Sequence, residues 1–194
     1  MSNAAATAIR QDLGEMPEWD LSDLYDGPEA PALEQDLVQC EAQAKDFYAR
    51  YQGKLADLSG DSLSEAVAAY EALSDLLGKI MSYAQLYYSA NVSDPARGRF
   101  YQAMQERVTG ITVHTLFFTL ELNRLDDAQL EEKLKSVKLA HYQPWLRDVR
   151  VYRPHQLSDE IERLLHEKEV AGRSSWMRLF DETIAALRFD VNGK

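Results

Sequence analysis

The sequence predicts an all-α protein of long antiparallel helices followed by a set of shorter ones. Apolar residues recur at spacings of three and four from about Pro28 almost to the end. Turn-forming residues fall between these stretches, and only residues 187–191 alternate with the period of a strand.

The first helix is carried by Leu33, Leu37, Cys40, Ala44, Phe47 and Tyr51, one face of a long helix that stops at Gly53. A turn at 58–62 leads to the second stripe, Leu63, Val67, Tyr70, Ser74, Leu77, Met81, Ala84 and Tyr88, with Asp61 or Ser62 as its cap and a weak point at Gly78. After a break at 91–95, Asp94 caps a third helix with Pro95 in its first position. That helix is expected over 95–122. It carries two apolar stripes, Met104–Val108–Ile111–Thr115–Phe118–Leu122 and Val113–Leu116–Phe117–Leu120, and so should form the buried centre. Shorter helices are expected at 126–136, 142–150, 158–171 and 174–187, with Ser158 as an N-cap and Gly172 as a stop. At the end, Leu187–Val191 reads as the first strand of a truncated hairpin whose turn is Asn192-Gly193.

Charge narrows the range of partners. The 194 residues carry a formal net charge of −11, unevenly placed: residues 1–94 hold 5 basic and 17 acidic residues, residues 95–194 hold 16 and 15. A nucleic-acid backbone or an anionic membrane face is disfavoured as a main partner. A single cysteine, Cys40, excludes an internal disulfide and falls inside an apolar stripe. No run is long and apolar enough to span a membrane, and the N-terminus has no basic segment followed by an apolar block, so a cytoplasmic location is expected.

Chemistry-bearing motifs are scarce. His114, His141, His155 and His166 are far apart, whereas a zinc-peptidase helix needs two histidines one turn apart. His166-Glu167 has Val170 where the second histidine would stand, so His166 reads as a solvated helical residue. His114 suits a polar contact or an interface better than a catalytic base. Neither a nucleophile elbow nor a phosphate-binding glycine loop occurs. Arg147, Arg150 and Arg153 form a basic ridge beside Tyr142, Trp145 and Tyr152. It suits either pairing with the acidic first half or docking of another domain or of substrate carboxylates.

Several segments together resemble the oligoendopeptidase F family of thimet-oligopeptidase-like zinc metallopeptidases. They are Glu18–Tyr25 (EWDLSDLY), Ser82–Tyr88 with Ser93-Asp94-Pro95, Phe117–Asn123 (FFTLELN), and the run from Pro154 through Leu164–Lys168 and Gly172–Trp176 to Arg178–Glu182. The resemblance spans about residues 17–191 in the expected order. It implies the N-terminal portion of a helical enzyme with an internal channel for peptides, whose His-Glu-x-x-His helix and later Glu ligand lie in a catalytic part not present in this sequence. Residues 1–16 are then a flexible N-terminus and 17–194 a helical N-terminal domain. The resemblance implies zinc in the parent enzyme but none bound by this stretch, which is expected to be inactive alone, and no catalytic or metal residue carries over. The expected partners are oligopeptide substrates and the absent catalytic domain. Arg147, Arg150, Arg153, Trp176 and Phe180 are the candidate interdomain or substrate-channel surface, and its exposure would make the isolated chain self-associate. The other reading is an independent helical interaction module without catalysis.

Overall fold

The computed structural model describes residues 19–190; the Asn192-Gly193 turn and the expected flexible N-terminus lie outside them. Among the described residues the chain is all-α. It runs α1 (Pro31–Tyr51), α2 (Gly60–Ser89), α3 (Pro95–Thr112), α4 (Leu116–Arg124), α5 (Asp127–Lys133), α6 (Val137–Ala140), α7 (Gln143–Arg150), α8 (Asp159–Lys168) and α9 (Ser175–Ala186). Residues 187–190 pair with nothing, so the expected C-terminal strand is not formed among them. A strand needs a neighbour to take its backbone hydrogen bonds, and no described segment offers one.

The first stripe is buried as its spacing requires: all six of its residues lie in the core of α1. Gly53 ends that helix region with φ of +75°, a conformation that suits glycine. The second stripe drifts. Ser74 is exposed and Tyr70 and Met81 only half-buried, while Leu73, Ile80 and Tyr83 are buried instead. The cause is two-sided packing, since α2 lies against both α1 and α3 and a single narrow stripe cannot serve both. The helix runs uninterrupted through Gly78, and its cap is Ser59, which accepts from the Ser62 amide at 3.1 Å, rather than Asp61 or Ser62.

The third predicted helix is two helices. Between α3 and α4, the run Ile111-Thr112-Val113 is β-branched, and the Thr112 hydroxyl donates back to the Val108 and Thr109 carbonyls at 2.9 and 3.2 Å. The Thr115 hydroxyl donates in turn to the Thr112 carbonyl. Only α4 occupies the buried centre: Phe117, Phe118, Leu120, Leu122 and Asn123 are buried, against Gly98, Met104 and Ile111 along all of α3. As expected, Asp94 caps α3, accepting from the Ala96 amide at 2.8 Å.

Two apolar clusters fill the interior. One gathers Phe47, Leu63, Val67, Phe118, Leu139 and Leu146 where α1, α2, α4, α6 and α7 meet. The other gathers Leu33, Leu37, Cys40, Leu77, Ile80, Tyr83 and Ile111 from α1, α2 and α3. Cys40 is fully buried, and burial together with the Asp36 charge pushes its thiol up to about 11.

The leading segment is tied to the second cluster by Tyr25. Its hydroxyl donates to Asp36 Oδ2 at 2.7 Å, Lys79 donates to the same oxygen at 3.2 Å, and the Lys79 ammonium lies 4.1 Å from the Tyr25 ring centre. Burial first, and the bond to Asp36 second, push the phenol well above its ordinary value. A raised folded-state pKa means this stabilisation is present below the unfolded tyrosine pKa of about 10 and lost as pH rises through the folded value. Urea unfolding between pH 8 and pH 11 should therefore show falling stability above about pH 10, with a shallower fall in Tyr25→Phe. Parallel pH dependence in the two proteins would refute this assignment.

Candidate functional site

The helices α8 and α9 form a layer across α3 and α4 whose amphipathicity is reversed. In α8 the half-buried residues are Glu162 and His166, followed at the same spacing by Val170, while Ile161, Leu164 and Leu165 are exposed. In α9 the half-buried residues are Ser175, Arg178 and Ala185, whereas Trp176 is 72% and Phe180 65% exposed, with Met177, Leu179 and Ile184 also outward. Neither helix has a fully buried residue. An amphipathic helix ordinarily turns its apolar stripe inward, so this layer presents an apolar surface outward.

Polar contacts hold the layer down. Arg178 donates to Gln102 Oε1 at 2.5 Å and lies 3.5 Å from Glu182. His166 Nε2 sits 2.8 Å from the Thr112 hydroxyl, so this histidine is a docking contact onto the end of α3 rather than a solvated residue. The start of α8 is also set differently from expectation. Ser158 has the extended backbone of an N-cap but makes no side-chain cap bond, and Glu162 reaches back to accept from the Leu157 amide at 2.8 Å. Between the two helices, Val170–Ser174 forms a wide π turn with non-helical backbone at Gly172, the expected stop.

The arginine ridge divides into unequal parts. Arg150 donates to the Leu122 and Leu125 carbonyls at 2.6 and 2.9 Å and to Asp127 at 2.5 Å, closing the C-terminal end of α4. Arg153 donates to the same Asp127 oxygen at 3.1 Å, and Arg147 pairs with Asp148. The Arg150 hydrogen bond, then the charges of Arg150 and Arg153, hold the Asp127 carboxyl below the usual carboxylate range. The partners are thus Asp127 and Asp148, both beyond residue 94, and not the acidic first half. Local geometry decides this, because Asp148 adjoins Arg147 in the chain and Asp127, at the start of α5, is brought beside Arg150 and Arg153 by the fold. Arg150 is largely covered, while Arg147 and part of Arg153 stay exposed. Among the described residues no hydrogen bond or ion pair joins this ridge to Trp176 or Phe180.

Between α4, α7 and α8 lies a cleft of about 590 Å³. It is walled by Leu116, Leu120, Val149 and Trp145, with Asn123, Gln156 and Glu162 among its polar groups. Sequence periodicity does not reveal it, because these residues come from three separate elements. No pattern within a single element signals it in advance. A larger cleft of about 760 Å³ lies between residues 19–28 and the junction of α2 with α3, lined by Tyr25, Tyr83, Tyr87 and Arg97.

Among the described residues no three His, Cys, Asp or Glu side chains are grouped to hold a metal ion. A zinc site of three or four protein ligands therefore has no donor set among them.

Residues 121–189 match the N-terminal family of the M3 peptidases, described as Oligopeptidase F. The fold is also similar to the crystal structure of oligoendopeptidase-F from Enterococcus faecium, with a TM-score of 0.66 and 21% identity over 84% of this chain. The similar region is 33% of that protein, so this chain spans about a third of the length of its solved relative. No curated protein matches the chain. The resemblance read from the motifs to the N-terminal portion of oligoendopeptidase F thus has independent support in sequence and in fold.

Proposed function

We propose that this chain is the N-terminal, channel-forming part of a cytoplasmic zinc metalloendopeptidase that cleaves short peptides, and that the chemistry is done by a catalytic part outside these 194 residues. The single observation that supports this best is the reversed layer of α8 and α9. An apolar face turned outward on a chain otherwise rich in charge is the expected state of a surface made to be covered. The family match at residues 121–189 contains that layer. In this reading Trp176 and Phe180 seat the rest of the peptidase, and Arg147 and Arg153 flank that seat or the peptide path. Zinc belongs to the parent enzyme and is held elsewhere.

Two measurements test the reading. Continued in its reading frame past Lys194, the protein should carry one tightly held zinc and cleave a quenched oligopeptide but not a folded protein. A chain that ends there, without hydrolysis, would favour the independent interaction module. For the 194-residue chain alone, sedimentation should show self-association rising with concentration, alongside uptake of a hydrophobic dye. Replacing both Trp176 and Phe180 by serine should remove most of the dye uptake with the helical spectrum unchanged. A strict monomer that takes up no dye would refute the uncovered face.

A further inference from the structure

We propose that the cleft between α4, α7 and α8 receives the basic side chain of an oligopeptide, arginine above all; the peptide part of this assignment rests on the proposed function. The cleft concentrates acceptors that have nothing to accept. Among the described residues three buried side-chain polar atoms lack a hydrogen-bond partner, Tyr88 Oη, Asn123 Oδ1 and Gln156 Oε1, and the last two belong to residues lining this one cleft. Asn123 is only 6% exposed. The orientation of Gln156 is set by its own Nε2, which donates to the Leu120 carbonyl at 3.2 Å, so the oxygen is the end left over. An unsatisfied buried acceptor costs about 1–3 kcal/mol, a cost that a donor arriving in the cleft would relieve.

The third acceptor is charged. Glu162 is half-buried, uses Oε1 for the Leu157 amide, and has no cationic partner among the described residues. Asp148 adds a second carboxylate at the rim, with Oδ1 engaged by Arg147. A ligand anion would meet two carboxylates, and a metal would meet apolar walls and too few grouped donors. What fits is a cation with several N–H donors on an aliphatic stem. The stem lies along Leu116, Leu120 and Val149, and the guanidinium is placed at the Glu162 carboxylate, beside Asn123 and Gln156.

The test uses the folded 194-residue chain carrying Trp19→Phe and Trp176→Phe, both exposed positions, so that Trp145 at the cleft is the remaining indole. Acetyl-Gly-Arg-Gly-amide should change its fluorescence saturably, and the citrulline counterpart, neutral and of the same shape, should bind about tenfold more weakly or worse. Glu162→Gln keeps an oxygen for the Leu157 amide and should weaken the arginine peptide about fivefold or more. Raising salt from about 50 to about 500 mM should weaken it in the Trp145-only chain as well, which preserves the discrimination if Glu162→Gln does not fold. No saturable response, equal binding of the arginine and citrulline peptides, or indifference to both salt and Glu162→Gln would overturn the proposal, and buried water would then fill the cleft. Binding needs no hydrolysis. A failure here in an active parent protein therefore removes the subsite alone, and a success here in an inactive one removes the peptidase reading alone.

Discussion

Phe118→Ala should lower the free energy of unfolding by about 3–5 kcal/mol. Phe118 is 0% exposed and lies in the cluster where α1, α2, α4, α6 and α7 meet. Its ring is 5.0 Å from those of Phe47 and Tyr70 and 6.3 Å from those of Trp145 and Phe117. Truncation removes the transferred surface and these aromatic contacts together, and rings on α1, α2 and α7 cannot all collapse into one hole. Phe117→Ala should fall in the same range but nearer its lower end, since that ring is 9% exposed and meets Phe47 and Tyr48 from one side. His114→Ala should cost much less, because the residue is half-buried and its ring meets Tyr48 at an edge 6.1 Å away. Urea midpoints are the measurement, and similar midpoints for Phe118→Ala and His114→Ala would show the centre to be wrongly placed.

The outcome at Phe118 also marks what could be read in advance. Where one helix meets its neighbours along one stripe, as in α1, spacing alone identified all six buried residues. It failed along α2, whose several neighbours widen the buried face, and at 112–115, where threonine hydroxyls compete for the carbonyls that would continue the helix. The greater loss was direction. The periodicity of α8 and α9 tells that each has an apolar face, but not which way that face turns, because the answer depends on what else lies beside them. The motif resemblance supplied the expectation of an uncovered surface that periodicity could not. Gln156, Asn123 and Glu162 were illegible for another reason, as a cleft made by three elements leaves no pattern in any one of them.

Gly60→Val should lower stability by several kcal/mol, and Gly60→Ala by about 2–4 kcal/mol, although helix propensity alone predicts a gain of about 1 kcal/mol for the alanine. Gly60 opens α2, and the joint between α5 and α6 lies directly on it. A Cβ built there would stand 2.2 Å from the Lys133 carbonyl oxygen, 2.8 Å from Ser136 Cβ and 3.1 Å from the Lys133 carbonyl carbon. Two of these three atoms are backbone and cannot swing aside. The joint is also pinned from its other end. Lys133 donates to the Ala56 carbonyl at 2.8 Å and to that of Leu58, and Ser136 donates to Asp61. Moving α5 away from α2 would break these bonds and loosen Leu139, which is fully buried between them. Overpacking of this kind outweighs the propensity term because the whole joint must shift to admit one methyl group. The matched control is Gly78→Ala in the same helix, where nothing lies within 4 Å of the added carbon. There the propensity term acts alone and should stabilise by about 0.5–1 kcal/mol. Thermal and urea unfolding of the two alanine variants should therefore move in opposite directions from the parent chain. If Gly60→Ala is as stable as Gly78→Ala, the close approach of Lys133 to the start of α2 is wrong.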